Sequence, residues 1–207
     1  ISLITADNPR RSLARMAAAF YGEKPETIAA VTGTNGKTSV ATFTRQIWNA
    51  LGRKAASIGT LGIVGPGLEG GGGLTTPDPV ELHRQLHELS QSGFQNIALE
   101  ASSHGLDQFR LDGVPVHTAA FTNLTRDHLD YHGSMKEYRR AKMRLFRDLL
   151  VPGGAMVVNA EVPEYPALME LAKERGFEFF AYGLSKGDIR CRSMEATEDG
   201  WNLTLEV

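Results

Sequence analysis

The residues from Val31 to Ser39 read V-T-G-T-N-G-K-T-S and include the residue types that bind phosphate. A lysine that follows glycine at the start of a helix can reach the β- and γ-phosphates of a nucleotide, and the next hydroxyl can ligate Mg²⁺. The common phosphate loop, G-x-x-x-x-G-K-[ST], would place its first glycine at position 31, where this chain has valine. The spacing alone leaves open a degraded loop, a coincidental glycine turn or a different kind of loop.

The context of this segment favours nucleotide binding over an ordinary glycine turn. A short apolar β run, Thr27–Thr32, enters the loop, and a helical pattern follows it. Successive backbone N–H groups at the N-terminus of a helix bind phosphate oxygens without side-chain strain. The predicted nucleotide-binding residues are Gly33, Thr34, Asn35, Gly36, Lys37, Thr38 and Ser39.

Polar side chains also follow two other predicted strands. Glu100 ends the strand at 96–99, and His128 lies in the segment after the strand Val116–Phe121. In an open parallel sheet ligands bind at the carboxyl ends of strands, so a carboxylate and an imidazole there suit a divalent cation that bridges to phosphates. Each residue alone has an ordinary explanation, as a helix cap or a loop histidine. His104 and His132 have the same ordinary explanation, and no role is assigned to them.

Two further segments contain residue types that have both a functional and an ordinary interpretation. Lys142 lies on a predicted helix near the preceding loop, and the residue type alone indicates a solvated lysine. Thr75 and Thr76 follow a glycine-rich segment and precede a helix. Their hydroxyls suit an anionic substrate or a capped turn, and composition does not distinguish the two.

The elements that position these residues alternate between short strands and helices. Strands are predicted at 27–32, 55–58, 96–99, 116–121, 155–158 and 178–181, and a glycine-heavy loop at 59–73. Helical stripes include Leu13, Met16, Ala17 and Phe20, and later Val40, Phe43, Ile47, Trp48 and Leu51. Ser134 and Glu137 form a capping box for a helix towards Leu150. The pattern predicts an α/β fold with a mainly parallel, doubly wound sheet, followed by an antiparallel hairpin at 189–196 and 201–207.

Composition excludes several classes of protein. The chain has 207 residues, 42% of them hydrophobic, a formal net charge of -2 and one cysteine, Cys191. The charge argues against a nucleic-acid partner, and no apolar run approaches the ~18 residues of a membrane span. A reducing cytosol fits the single cysteine, so we expect a cytoplasmic protein. The chain begins with Ile1 and stops in a predicted strand, so a fragment is expected.

Together these segments resemble the central ATP-binding domain of the Mur ligases. The family's loop, G-T-N-G-K-[ST], is shorter than the common sequence, so in this resemblance Val31 belongs to the strand and Gly33 is the first loop glycine. The motifs occur in family order and span about two-thirds of the chain. The resembling residues are Thr32 to Ser39, Thr75 to Asp78, Glu100 to Leu106, Gln108, Arg110, Asn123 to Gly133, and Lys142 within Tyr138 to Lys142.

The resemblance implies a role for each matching residue. Lys37 and Thr38 would take the ATP phosphates and magnesium, Glu100 one Mg²⁺ ion, and His128 a second. Lys142 matches a lysine that the family carbamylates with CO₂, which makes it a ligand of the second ion. The catalytic residues implied are thus Lys37, His128 and Lys142. The positions that match precursor-binding residues are Thr75, Thr76, Ser102, Gln108 and Arg110.

The resemblance is greatest to the member that adds the third amino acid to UDP-N-acetylmuramoyl-L-Ala-D-Glu in peptidoglycan synthesis. ATP would phosphorylate the terminal carboxylate, and the amine of diaminopimelate or lysine would attack the acyl phosphate. We expect residues 1–26 to be a linker and helix from the end of an N-terminal domain, and 27–207 to be the central domain. The expected partners are the precursor and an amino acid, in a monomer. Without flanking domains, turnover should be negligible.

One apparent motif is better explained by local structure. Asp7-Asn8-Pro9-Arg10 looks like the D-N-P-R motif with which diaminopimelate-adding members read their amino acid, but that motif belongs to the C-terminal domain. Here it precedes the loop, and Pro9 at the first helical position predicts a helix start. Three alternatives stay open: a ligase like folylpolyglutamate synthetase, a non-catalytic ATP-binding module, and a Rossmann-like structural domain without nucleotide.

Overall fold

A computed structural model describes residues 5–198 and 200–207. Its centre is a nine-stranded sheet in the order β3-β2-β4-β1-β5-β6-β7-β8-β9. The strands in chain order are β1 (Thr27–Thr32), β2 (Ala55–Gly59), β3 (Gly62–Val64), β4 (Asn96–Glu100), β5 (Val116–Phe121), β6 (Leu150–Asn159), β7 (Glu178–Gly183), β8 (Ile189–Thr197) and β9 (Gly200–Glu206).

The sheet is parallel except at its two ends, where β2 pairs with β3 and β8 with β9 in antiparallel fashion. The predicted α/β fold with a mainly parallel sheet and a C-terminal hairpin is therefore confirmed. Position 199, in the predicted hairpin turn, lies outside the described residues.

Helices cover both faces of the sheet. In chain order they are α1 (Pro9–Tyr21), α2 (Lys37–Ala50), α3 (Pro79–Gln91), α4 (Ser103–Asp107), α5 (Leu129–His132), α6 (Met135–Arg144), followed by a π-helical turn (Leu145–Leu149), and α7 (Tyr165–Arg175). The short helices α4 and α5 were not predicted, because five and four residues give no readable periodicity.

Capping residues explain where several helices begin. Asn8 caps α1, since its side-chain oxygen accepts from Arg11 N at 3.0 Å, and Pro9 occupies the first turn. The helix-start interpretation of Asp7-Asn8-Pro9-Arg10 is thus confirmed. Asp78 caps α3 by accepting from two backbone N–H groups, and the Ser134 hydroxyl accepts from Glu137 N at 3.3 Å at the start of α6.

The main core lies on the face of the sheet that packs against α3, α4, α6 and α7. Strand residues such as Ile28, Leu99 and Phe121 point into it, together with Leu86 and Phe146 from the helical layer. A smaller cluster on the opposite face joins Val31 and Ala98 to Ala41 of α2. Neighbouring residues of β1 therefore serve different layers, as expected for a strand buried on both sides.

The two predicted apolar stripes lie only partly in the core. In α2, Phe43, Ile47 and Leu51 are mostly exposed, and Ala41 is the buried residue. In α1, Phe20 is 83% exposed, whereas Ala14 and Ala17 are buried. The helices were located correctly, but small residues make their close contacts because alanine lets a helix approach its neighbour closely.

The predicted loop at 59–73 was wrong in one part. The chain turns after Gly59 and returns as β3, which pairs with β2 in the register Ser57↔Val64 and Gly59↔Gly62. Gly62 has φ 77°, and a Cβ there would lie 2.3 Å from Gly71 O. Glycine thus permits both the tight reversal and the close approach of the following segment.

The strand order places a crevice at the carboxyl ends of β1, β4 and β5. β1 lies between β4 and β5, and all three run parallel. From β1 the chain crosses to β2 on one side, and from β4 it crosses to β5 on the other, so the direction of winding reverses here. Such a switch point is where open α/β sheets bind ligands.

Candidate active site

The glycine loop that the sequence predicts to bind phosphate, called the phosphate-binding loop below, lies between β1 and α2. Gly36 caps α2 in a left-handed conformation with φ 86°, and no side chain caps the helix. Free N–H groups therefore remain at the helix N-terminus, where they favour an anion. Gly33 has φ 151°, and a Cβ at this position would lie 1.9 Å from Thr122 Oγ1. Glycine is thus required at the position that replaces the missing glycine at 31.

The segment after β5 holds this loop in place. Thr34 N donates to Asn123 O at 2.9 Å, and Asn35 N donates to Asn123 Oδ1 at 3.0 Å. Thr122 Oγ1 donates to Asn35 O at 2.7 Å. The roles of Thr122 and Asn123 as loop anchors were not predicted, although Asn123 belongs to a motif that follows a strand.

Lys37 extends back over its own loop. Its Nζ donates to Gly33 O at 3.0 Å and to Thr34 O at 2.9 Å. Burial lowers the pKa of Lys37, while the negative charges of Glu100 and Asp127 act in the opposite direction. The ammonium group thus lies among the backbone groups that would receive the phosphates.

The Glu100 carboxylate lies directly beside the loop. It is buried at the end of β4, and its Oε2 accepts from Thr38 Oγ1 at 2.9 Å. Its Oε1 accepts from Thr60 N at 2.9 Å. A Cβ at Gly59 would lie 2.0 Å from Oε1, so this glycine leaves room for the carboxylate. Thr60 was not singled out by the sequence analysis, because an isolated threonine after a strand carries no pattern.

The donor set at Thr38 and Glu100 fits Mg²⁺. A hydroxyl and a carboxylate are hard oxygen ligands, and Mg²⁺ usually keeps several waters or substrate phosphates as its other ligands. In the part of the chain that the structure describes, no three His, Cys, Asp or Glu side chains converge on one point. A cation held here would therefore need waters or phosphate oxygens to complete its coordination.

Lys142 is not the solvated helix lysine that its residue type alone indicated. It is 1% exposed on α6, and its Nζ donates to Gly33 O at 2.7 Å, the same oxygen that Lys37 contacts. Burial lowers the pKa of Lys142 to about 7; the positive charge of Lys37 adds to this shift, and Asp127 opposes it. The fold thus places Lys142 beside Gly33 of the phosphate-binding loop, although the two residues are 109 positions apart in the sequence.

His128 lies in a second cluster, in the loop before α5. It has φ 51°, a left-handed conformation that is uncommon for a residue with a side chain. Its backbone N–H donates to Asp127 Oδ1 at 2.8 Å. Its ring lies 4.9 Å from the His104 ring and 6.1 Å from the Tyr138 ring. Burial is the main cause that lowers the pKa of His104 and of His132, so both rings favour the neutral form.

Tyr138 links this cluster to the phosphate-binding loop. Its ring contacts His128 and also lies 4.5 Å from Lys142 Nζ. Its hydroxyl hydrogen-bonds with the Thr34 hydroxyl at 3.1 Å. Tyr138 thus lies beside both His128 and Lys142, the two residues to which the resemblance assigns a second Mg²⁺ ion.

Four of the five residues predicted to bind the precursor form one hydrogen-bonded group, which consists of Thr76, Ser102, Gln108 and Arg110. Thr76 is fully buried, and its hydroxyl donates to Glu100 O at 2.8 Å and lies 3.0 Å from Ser102 Oγ. Arg110 donates to Thr76 O at 2.7 Å and to Gln108 Oε1. The Thr75 hydroxyl lies outside this group, bonded to Thr60 Oγ1 at 3.0 Å. Hydrogen bonds thus lead from these positions to the Glu100 backbone and to the segment that holds its carboxylate.

Two cavities lie near this region. A cavity of about 240 Å³ is lined by the loop residues 34–39 together with Thr60, Thr75 and Glu100. A larger groove of about 850 Å³ runs between the glycine-rich segment and α3. The smaller one is the candidate nucleotide site, because its lining contains the loop and the carboxylate.

Comparison with known proteins gives this arrangement a family. Residues 31–207 match the model of the Mur ligase middle domain. The chain belongs to the Mur ligase family. The family that the sequence resembles is thereby confirmed.

Two relatives that match the whole chain share the name UDP-N-acetylmuramoyl-L-alanyl-D-glutamate--2,6-diaminopimelate ligase. The protein of that name from Bradyrhizobium diazoefficiens is 51% identical over 210 residues, covering 100% of this chain and 43% of the relative. The one from Caulobacter vibrioides is 47% identical over 214 residues, covering 100% and 44%. The chain thus spans less than half the length of these relatives.

Solved structures agree on the fold. A diaminopimelate ligase of the same name superposes with a TM-score of 0.86 at 29% identity, covering 98% of this chain and 42% of that one. A bifunctional folylpolyglutamate synthase/dihydrofolate synthase superposes with a TM-score of 0.65 at 17% identity, covering 99% and 52%. The second likeness shows a shared fold and nothing further. None of the helices in the described part of the chain is long and apolar enough to span a membrane.

Proposed function

We propose that this chain is the nucleotide-binding part of an ATP-dependent ligase that joins 2,6-diaminopimelate to UDP-N-acetylmuramoyl-L-Ala-D-Glu. The observation that carries the proposal is the contact between Thr38 and Glu100 beside an uncapped helix N-terminus, with Lys37 in the same loop. The names of the relatives support diaminopimelate as the amino acid, where the sequence alone left lysine equally open.

In this proposal the loop binds the triphosphate. The N–H groups at the start of α2 point at the phosphate oxygens, and Lys37 exchanges its two carbonyl contacts for the β- and γ-phosphates. Two Mg²⁺ ions, one at Thr38 and Glu100 and one near His128 and Lys142, would neutralise the repulsion between the triphosphate and the substrate carboxylate. Gly33 and Asn123 hold the loop in the geometry that binding requires.

Ligation proceeds in two steps, formation of an acyl phosphate and attack by the amine. A carboxylate oxygen of the precursor attacks the γ-phosphorus, the bond to the β-bridging oxygen breaks, and ADP leaves with that electron pair. The amine of diaminopimelate then attacks the acyl carbon, phosphate leaves, and the amine loses a proton as the amide forms. Lys37 stabilises the charge that develops on the transferred phosphoryl group.

Lys142 has the environment that carbamylation requires. Only a neutral amine attacks CO₂, and burial with a lowered pKa of about 7 makes the neutral amine available near physiological pH. The nitrogen bonds to the CO₂ carbon and loses a proton, which leaves an anionic carbamate. The carbamate replaces an amine whose charged form Lys37 would repel. It therefore removes this repulsion between the two lysines and supplies the second metal with an oxygen ligand.

The precursor would lie against Thr75 and against the hydrogen-bonded group of Thr76, Ser102, Gln108 and Arg110. Arg110 is the cation of this group, and a precursor with a diphosphate and carboxylates is strongly anionic. Since the Thr76 hydroxyl is already bonded to Glu100 O and Ser102, we assign Thr76 to positioning this group. We also propose a cytoplasmic, monomeric enzyme, with no nucleic-acid or membrane partner.

The test is an assay of phosphate release by the full-length protein with Mg-ATP and UDP-N-acetylmuramoyl-L-Ala-D-Glu. Diaminopimelate should give turnover and ligated product by mass spectrometry, with lysine at least about tenfold less efficient. A second assay replaces the two substrates with a dihydropteroate-linked acceptor and glutamate. Turnover in that assay would support the alternative of a ligase like folylpolyglutamate synthetase. Nucleotide binding without any product would favour a non-catalytic module, and failure of Mg-ATP to raise the Tm would favour a structural domain.

A further inference from the structure

The Tyr131 hydroxyl joins two parts of the site that the sequence keeps apart. Tyr131 lies on α5, three residues after His128, and its hydroxyl donates to Asp107 Oδ2 at 3.0 Å. The same hydroxyl accepts from Gln108 Nε2 at 3.1 Å. Asp107 and Gln108 end α4, so the hydroxyl fastens the end of one short helix to the other.

These hydrogen bonds form a series that runs from Arg110 through Gln108 and Tyr131 to Asp107. The donor and acceptor of each bond follow from the groups at the two ends of the series. Arg110 has only donors, so the oxygen of the Gln108 amide faces its Nε at 3.1 Å and its Nη2 at 2.7 Å. The amide nitrogen must then face Tyr131. The Tyr131 hydroxyl accepts this hydrogen bond and donates its own to the Asp107 carboxylate. Arg110 and Asp107 therefore fix the directions, and the Tyr131 hydroxyl holds the Gln108 amide so that its oxygen stays on Arg110.

The ring of Tyr131 is held on its other side by imidazoles. It lies 4.1 Å from the His104 ring and 4.7 Å from the His132 ring. His104 in turn contacts His128. The phenol thus extends from the histidine cluster to the pair Gln108 and Arg110, with packing at one end and hydrogen bonds at the other.

We propose that Tyr131 is a positioning residue that sets Gln108 and Arg110 in the orientation that recognises the anionic precursor. The inference rests on the proposed function for the identity of that precursor. Tyr131 acts through Gln108 and is required for recognition at this group, whereas binding of ATP at the loop depends on other contacts, those of Lys37, Thr38 and Glu100.

Tyr131→Phe tests this role, because it removes the hydroxyl and keeps the ring contacts. In the full-length protein we expect the KM for UDP-N-acetylmuramoyl-L-Ala-D-Glu to rise roughly threefold to fivefold, because the hydrogen bond between Gln108 and Tyr131 is exposed and has the small net effect of such a bond. The KM for ATP and kcat should stay within about twofold of wild type. An unchanged precursor KM, or a fall in kcat together with a lowered Tm, would overturn the proposal.

Two further variants make the assignment specific. Tyr165→Phe removes a hydroxyl from α7, where Tyr165 packs on Phe179, and should leave all three constants unchanged. Adding Tyr131→Phe to Gln108→Leu should cause no further rise in precursor KM, since the hydroxyl acts through that amide. A fully additive rise in the double variant would contradict the mechanism.

A measurement on the side chains themselves separates this inference from the proposed function. ¹⁵N relaxation of the Arg110 Nε–H and the Gln108 amide in the full-length protein should show both groups ordered in wild type and mobile in Tyr131→Phe. Equal order in the two proteins would overturn the positioning role, whatever the enzyme's substrate is. A wild-type protein without ligase activity would refute the proposed function and leave this readout decisive.

Discussion

The two sides of the crevice are held by different forces. On the loop side, hydrogen bonds fix the structure: Glu100 accepts from Thr38 and Thr60, and Gly33 fits against Thr122 with no room for a Cβ. On the histidine side, His128 is about half exposed, has a left-handed backbone and contacts mainly aromatic rings.

The difference shows which side is organised before a ligand binds. Hydrogen bonds with defined donors and acceptors hold a single geometry, so the loop side is ready for phosphate. Ring packing tolerates sliding, and a strained left-handed residue persists only where its surroundings or a ligand demand it. We therefore expect changes on the loop side to affect nucleotide binding and changes on the histidine side to affect metal use.

The largest effect should come from Lys142, which lies between the two sides. Lys142→Ala should lower kcat of the full-length enzyme by about 10²- to 10³-fold, because a metal ligand and the charge it carries are lost. Bicarbonate or a short carboxylic acid should restore part of the rate. Full activity of the variant without either addition would exclude Lys142 from the mechanism.

Gly33→Ala should break the loop side alone. Its Cβ would displace Thr122 and the backbone of Asn123, and a shift of about 1 Å in a positioning element costs about a hundredfold in kcat/KM. Calorimetry should show the loss in the affinity for Mg-ATP. Gly72→Ala is the matched control, since nothing lies within 4 Å of that glycine's Cβ position. Equal affinities in the two variants would show that the loop is not preorganised.

A smaller effect concerns the stability of the fold. The pKa of Lys142 falls from 10.5 to about 7 in the folded protein, so between these values the unfolded chain binds more protons. The free energy of unfolding should therefore rise with pH over this window, by up to about 1.4 kcal/mol for each pKa unit that separates the two states. Urea unfolding from pH 7 to 10 in CO₂-free buffer should show this rise in wild type and a flatter profile in Lys142→Met. Parallel profiles would mean that the Lys142 amine is charged in the folded state.

The smallest stability effect should appear at His128. His128→Gly relieves a left-handed conformation worth about 1 kcal/mol and loses ring contacts of similar size, so the Tm should change little. Activity should nevertheless fall at least about tenfold and require more Mg²⁺. His128→Asn, which tolerates the same backbone, is the companion variant. A loss of stability above about 2 kcal/mol would show that the histidine side is organised as firmly as the loop side.

The sequence predicted what depends on local pattern. Strand Thr27–Thr32, the helix after Lys37 and the cap at Asn8 follow from apolar runs, glycines and proline, and the structure confirms them. The polar residues at the ends of β1, β4 and β5 were also readable, because parallel strands end at one edge of the sheet.

What escaped prediction depends on contacts between distant segments. Neither the pairing of Asn123 with Asn35 nor the burial of Lys142 has a local signal, since each joins residues about 90 to 110 positions apart. The burial of the individual residues of α1 and α2 has no local signal either. Periodicity shows that a helix has an apolar stripe, but the neighbouring layer decides which residues are covered.

One carbonyl oxygen, that of Gly33, receives both Lys37 and Lys142. Before Lys142 is carbamylated, the two amines on this one acceptor repel each other, and each disfavours the charge of the other. An incoming anion relieves this conflict in proportion to its charge. If the loop binds nucleotides as proposed, its contribution to affinity should increase with the number of phosphates, and a nucleoside without phosphate should gain no affinity from it.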